Sequence, residues 1–242
     1  MSFTEEAPAQ NQFKVLLFIH HDDWHSDCIP VAVEAFQDMA QKNQFAFRWT
    51  QRPNELPTLL PQCDVVIFLN TNTDFMDSSQ VEALQEFIHK GGGFVGIHGA
   101  SASIKRNEWY DKLVGGVFVD HPKLQAGVVH NVGDFPATWH LPQKWLWSDE
   151  WYNFSHIDVS KLNVILTVDE STYDYTLGYD EIPLKGMGKD HPVAWSHHFE
   201  GGSVFYTSLG HKPEVYKDEN FLKHIFGGIY WASKKVKNIE SK

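Results

Sequence analysis

The sequence predicts an α/β protein in which a mainly parallel central sheet lies between two layers of helices, a three-layer sandwich. Near-continuous apolar runs of strand length alternate with segments whose apolar residues recur at helical spacing. Runs without a polar face are those of strands covered on both sides, as parallel strands are. A length of 242 residues with 42% hydrophobic content is enough to bury a sizeable core.

The first run, Lys14 to Ile19 (KVLLFI), is a strand, and Val31, Ala35, Phe36 and Met39 behind it repeat as one face of a helix. Residues 45–50 (FAFRWT) supply a second strand, and residues 63–70 (CDVVIFLN) a third whose Val-Val-Ile-Phe-Leu centre has no polar face. Ser78 opens a helix carrying Val81, Leu84, Phe87 and Ile88 on one side, and Gly91-Gly92-Gly93 stops it. A fourth strand, FVGIH, ends in a sharp turn with His98 at its tip and Gly96, Gly99 and Ala100 around it. Ligands gather beyond the carboxyl ends of such strands, so the polar loops HHDDWH, NTNTDF and HGASAS are expected to converge. The second half is irregular and Trp-rich. Short strands are expected at 125–132, 164–168, 193–198 and 204–207, and a last helix at 220–232. Residues 14–233 read as one domain between tails 1–13 and 234–242, with no internal repeat.

Composition excludes some functions. A net charge of -11, from 20 basic and 31 acidic residues, repels a phosphate backbone, so no nucleic-acid partner is expected. The opening MSFTEEAPAQNQ places acids where a secretory leader needs positive charge, and no run approaches a membrane span. Only Cys28 and Cys63 occur, outside any CxxC pair. A reducing cytoplasm is the expected compartment. The absence of GxSxG, of a P-loop and of GxGxxG after the first strand argues against a serine hydrolase, an NTPase and a dinucleotide enzyme.

Histidine and carboxylate chemistry remains, in a chain with 14 His and 9 Trp. In HHDDWH, His20, His21, Asp22, Asp23 and His25 either hold a metal or substrate, or form a solvated loop in which an Asp caps the next helix. His98, at the elbow, is either a general base or metal ligand facing the cleft, or a structural residue tied to backbone. His121 precedes Pro122 and His211 follows a strand and a glycine; each is a cleft residue or a buried structural one. In SDEWYNF, Asp149 and Glu150 offer an acid while Trp151 and Tyr152 offer a stacking face for a sugar, and a capped turn over a hydrophobic patch reads the same way. KDHPVAWSHH carries His191, His197 and His198, and because His197 and His198 face opposite sides of a strand, at most one of them is expected to join a given cluster.

The segments DVVIFLNTNTDFM, GGGFVGIHGASAS, WYDKLVGGVFVDHP, DEWYNF, LTVDESTY, HPVAWSHHFEGGSVFYTSLGH and FGGIYWA, in this order, resemble the ThuA-like family, named for trehalose utilisation. The resemblance runs from about Lys14 to Ala232. It implies the class I glutamine amidotransferase-like fold, a flavodoxin-like sandwich whose amidotransferase relatives carry a cysteine nucleophile at the elbow. His98 stands there instead, so amidotransfer is not expected. Family members often read GIHAATD where this chain has His98-Gly99-Ala100-Ser101-Ala102-Ser103, without the acid. The family's association with disaccharides and with oxidoreductases that make 3-keto sugars implies a carbohydrate-processing role.

The leading expectation is an enzyme acting on a disaccharide or keto-sugar, with His98, His211, His121, Asp149 and Glu150 as catalytic groups. His21, Asp22, Asn70, Trp151 and Tyr152 would bind substrate, and His20, His25 and His98 would hold a divalent metal, zinc or manganese. A non-catalytic sugar-binding or regulatory protein and a metal-dependent hydrolase of another small polar substrate are the alternatives. The Trp-rich second half makes a homodimer patch plausible.

Overall fold

The computed structural model describes residues 11–20, 24–105, 107–179 and 183–234. The first half follows the expected alternation: β1 (Lys14–Ile19), α1 (Cys28–Asn43), β2 (Ala46–Thr50), β3 (Val65–Leu69), α2 (Ser78–His89) and β4 (Gly93–Ile97). A short helix, α3 (Glu108–Val114), leads into β5 (Val117–Asp120), β6 (Gln125–Asn131), β7 (Lys144–Asp149), β8 (Asn153–Ser155) and β9 (Asn163–Asp169). The chain closes with β10 (His191–Phe199), β11 (Gly202–Thr207) and α4 (Glu219–Ala232).

Nine strands form one sheet in the order β2-β1-β3-β4-β11-β10-β9-β6-β7, and β8 pairs separately with β5. From β2 to β11 the pairings are parallel; from β11 to β7 they are antiparallel. Alternation along β1 sends Val15, Leu17 and Ile19 into one core and Leu16 and Phe18 into the other, which is why the run carries no polar position after Lys14. Ile29, Ala32 and Phe36 of α1 and Phe221, Ile225 and Ile229 of α4 fill the first core. Leu84 and Phe87 of α2 and Tyr110 and Leu113 of α3 fill the second. This is the three-layer sandwich that the sequence predicts. The start of α2 at Ser78 has a local cause: Asp77 Oδ1 accepts the Gln80 amide at 3.0 Å while Gln80 Oε1 accepts the Asp77 amide at 3.1 Å, a closed capping box.

The antiparallel half is more regular than its sequence suggests, and β7 is an addition to the expected strands. Its burial alternates, with Trp145 and Trp147 inward and Leu146 outward. Adjacent strands lie about 4.8 Å apart, so a flat sheet would leave β7 roughly 19 Å from β11. Instead Asp149, at the end of β7, accepts the amide of Gly210, just beyond β11, at 2.9 Å. The antiparallel half therefore curls until its last strand returns to the carboxyl edge of the parallel half. By the pairing directions β1, β4, β7 and β11 all end at that edge. Among the described residues no helix is long and apolar enough to cross a membrane.

Candidate metal centre

Each of those four strand ends delivers one side chain to a single point. His25 follows β1, His98 follows β4, Glu150 follows β7 and His211 follows β11, and one ligand atom from each lies within 4.8 Å of the other three. The three imidazoles stand at the corners of a nearly equilateral triangle, with ring centroids 5.2 Å (His25–His98), 5.3 Å (His25–His211) and 5.3 Å (His98–His211) apart. Glu150 Oε2 lies 3.2 Å from His211 Nδ1 and 3.6 Å from His98 Nε2. An ion bonded at about 2.0–2.2 Å holds tetrahedral ligand atoms about 3.4 Å apart, and the two glutamate–imidazole separations lie close to that spacing. The His211–Glu150 contact is close enough for an ion pair but lacks hydrogen-bonding alignment, leaving His211 Nδ1 buried without a hydrogen bond among the described residues. A donor atom in that state fits an ion.

The tautomer of His98 follows from its neighbours. Nδ1 lies 2.6 Å from the Ser208 carbonyl, which only accepts, so Nδ1 carries the hydrogen and Nε2 presents a lone pair. An imidazole oriented by a carbonyl on one nitrogen is the usual arrangement of a metal ligand bound through the other. Burial pushes His98 down to about 3, against the Ser208 carbonyl, which favours the proton, and with a smaller push from His121. Burial and then His98 push His211 down to about 3, while Glu150 acts in the opposite sense. Both rings are therefore neutral at pH 7, the form that binds a metal.

The supporting shell is dense. His98 has φ 49° and Asn70, at the end of β3, φ 47°, left-handed values that mark strained turns at this edge. Gly99 is required beside His98, because a Cβ there would lie 2.9 Å from the Thr71 carbonyl oxygen. Cys28 Sγ donates to the His211 carbonyl at 2.9 Å and accepts from Asn70 Nδ2 at 3.4 Å, fixing the turn after β11. Asp149, wholly buried, accepts from Gly210 N (2.9 Å), Glu150 N (3.0 Å), Trp147 Nε1 (3.0 Å) and His211 N (3.2 Å). Burial raises its carboxyl to about 6, a rise that these N–H groups restrain.

The structure brings together His98, His211, His25 and Glu150, and sets His121 beside them with Nε2 3.4 Å from Glu150 Oε2. Several expected residues take other places. His20 does not join the metal group: its ring packs on Phe75, centroids 4.7 Å apart, and its Nε2 contacts Thr73 Oγ1. Asp149 does not face a substrate, since its oxygens are taken by the four N–H donors above. Trp151 is 0% exposed, packed against Tyr173 and under Gly127, so it offers no stacking face. Asn70 is also fully buried: its Nδ2 serves Gly210 O and Cys28, while its Oδ1 meets no hydrogen-bond partner among the described residues. Tyr152 contributes its hydroxyl instead of its ring, at 2.7 Å from His98 Nε2. His21 and Asp22 lie outside the described residues, as do residues 1–10 and 235–242.

His191 lies apart from the cluster, between Glu170 (2.9 Å) and the Tyr152 carbonyl (2.8 Å). His197 and His198 line a cavity of about 580 Å³ with His156, beside α3 and the end of β10. That end of β10 pairs with the start of β11, so the cavity sits at the opposite edge of the sheet.

Fold and site together define an α/β protein of the glutamine amidotransferase-like type, with a histidine at its elbow and a three-histidine, one-glutamate cluster at the sheet edge. The family model described as ThuA, trehalose utilisation, matches residues 14–232, and the chain belongs to this family. A ThuA-like protein from Bacteroides uniformis superposes with a TM-score of 0.77 at 22% identity, over 96% of this chain and 95% of that one. One from Parabacteroides merdae gives 0.72 at 15% identity, over 94% and 92%. A GMP synthase protein from Thermoplasma acidophilum gives 0.57 at 9% identity, over 93% and 96%. No curated protein matches the chain.

Proposed function

We propose that this protein is a divalent-metal enzyme acting on a small carbohydrate, a disaccharide or keto-sugar related to trehalose. The observation that carries the reading is the convergence of His25, His98, Glu150 and His211, whose ligand atoms all lie within 4.8 Å of one another. Three imidazoles to one carboxylate suit zinc ahead of manganese. The ion supplies Lewis acidity toward a carbonyl or hydroxyl oxygen of the substrate. Glu150 would supply the fourth protein ligand and also faces His121 Nε2, and in this reading His121 moves a proton at the rim of the site. Burial of His98, His25 and Glu150 excludes water from one side of the centre. The carbohydrate class rests on the family's description, trehalose utilisation.

The test is metal analysis of untagged protein, followed by turnover of trehalose, related disaccharides and their 3-keto forms. Close to one equivalent of zinc or manganese, lost in His98→Ala and Glu150→Gln together with turnover, is expected. Less than about a tenth of an equivalent, with no thermal stabilisation on adding either metal, contradicts the mass-action stabilisation that a real site confers.

A further inference from the structure

We propose that the Tyr152 hydroxyl is the placeholder of this centre: it holds the His98 Nε2 lone pair until a divalent ion takes it, then donates to the group in the ion's open position. The inference rests on the metal reading above and adds a role for a residue outside the ligand set.

The hydrogen-bond inventory makes the first half compulsory. Because the Ser208 carbonyl fixes the hydrogen of His98 on Nδ1, Nε2 has one lone pair and no hydrogen. The oxygen of Tyr152 lies 2.7 Å from Nε2, so the phenol is the donor. Nε2 is also the nitrogen that faces Glu150, at 3.6 Å, and the one left for an ion. One lone pair serves one partner, so metal and hydroxyl exclude each other.

The second half follows from how firmly the phenol is held. Tyr152 is 3% exposed, and its ring packs on His98 and Phe118 with centroids 4.2 and 4.3 Å away. His191 Nε2 donates to its backbone carbonyl at 2.8 Å, and the same ring lies 2.9 Å from Glu170. Glu170 also accepts the amides of Met187 and Gly188, at 2.5 and 3.0 Å. A ring packed on His98 and Phe118 and held at its backbone can swing its hydroxyl off the Nε2 lone pair without leaving the neighbourhood of the cluster. Once off Nε2, its O–H remains beside the cluster, where an ion that expanded from four protein ligands to a fifth would hold an oxygen of substrate or solvent.

The test compares wild type with Tyr152→Phe, which removes the hydroxyl and keeps the ring. Zinc and manganese affinities are measured by competition against a chromophoric chelator, and the zinc-loaded proteins are then titrated with acetohydroxamate as an oxygen-donor probe. The variant should bind metal roughly two- to tenfold more tightly, the factor that losing one competing neutral hydrogen bond represents. It should bind acetohydroxamate several-fold more weakly, having lost a donor. Metal affinity that is unchanged or lower overturns the placeholder role, and unchanged hydroxamate affinity overturns the donor role. Failure of wild type to bind either metal overturns the metal reading itself, and this inference with it. Should Tyr152→Phe not fold, ultraviolet difference spectra of wild type serve: zinc must perturb the tyrosine band and saturate at one equivalent, and a silent band overturns the inference.

Discussion

The Asp149 carboxylate grips the backbone of Gly210, Oδ2 to N at 2.9 Å, and so ties the end of the last antiparallel strand to the turn that carries His211. Its other oxygen reaches the amides of His211 and Glu150, two members of the candidate metal shell. One buried carboxylate thus sets the spacing between two ligands that arrive on different strands.

Replacing it should be costly. Asp149→Ala strands four N–H donors in a dry site, and the expected loss is about 3–5 kcal/mol, read from urea unfolding of the metal-free protein. Asp149→Asn keeps the shape but turns an NH₂ toward donors, so a smaller loss with clearly weakened zinc binding is expected. An alanine variant as stable as its parent would show that the grip is incidental.

Acid should unfold the metal-free protein early. Burial lowers His98 and His211 to about 3 and His197 and His224 to about 4. A histidine with a depressed folded value contributes stability that is complete above its unfolded value of about 6.5 and is lost as pH falls toward the folded value. Asp149, raised to about 6, acts in the opposite sense: its contribution is present below about 3.8 and disappears as pH rises through 6. Four groups outweigh one, so between pH 6.5 and 4.5 unfolding should take up roughly two protons net, on the order of 3 kcal/mol per pH unit. Unfolding free energies measured across that range should fall steeply; a flat profile contradicts the buried neutral histidines.

The elbow should not tolerate a methyl group. In Gly99→Ala the added Cβ meets Thr71 O at 2.9 Å and Asn70 C at 3.1 Å, both backbone atoms. Overpacking of this kind costs about 1–3 kcal/mol. Because the strain falls beside His98, zinc affinity should drop as well, which a calorimetric titration reads; full affinity with a lowered Tm would place the strain elsewhere.

Two substitutions separate core from site. Trp151→Ala should cost about 3–5 kcal/mol in chemical denaturation, as for any large buried aromatic. His20→Ala should leave metal content at the parental level, since His20 belongs with Phe75 and Thr73. Loss of the ion in the His20 variant would put that residue back in the shell.

Much of this architecture can be read in the sequence. β1, β3 and β4 declare themselves as unbroken apolar runs, and His98 and His211 are conspicuous because each lies just beyond the carboxyl end of a strand. The rest depends on information that periodicity lacks. KWLWSD reads as a loop because two tryptophans flank an exposed leucine, yet it is the strand that delivers Glu150. Asp149 and Glu150 are adjacent and chemically alike; only the curl of the sheet decides which one meets backbone amides and which one meets imidazoles. Within one short loop, His20 and His25 carry equal ligand chemistry, and spacing does not say which ring turns inward. Aromatics beside acids describe a buried core as well as a sugar platform, which is how Trp151 misleads.

The curl of the antiparallel half also has a consequence for biosynthesis. The four candidate ligands come from strand ends spread from the beginning of the chain to near its close, and the last of them arrives only when β11 has inserted between β4 and β10. A nascent chain that has made the first three ligands still lacks the fourth corner, together with the carbonyl that orients His98. In the proposed reading ion capture is therefore a late event of folding, and a chain stalled or cleaved before that insertion carries histidines but no complete candidate centre.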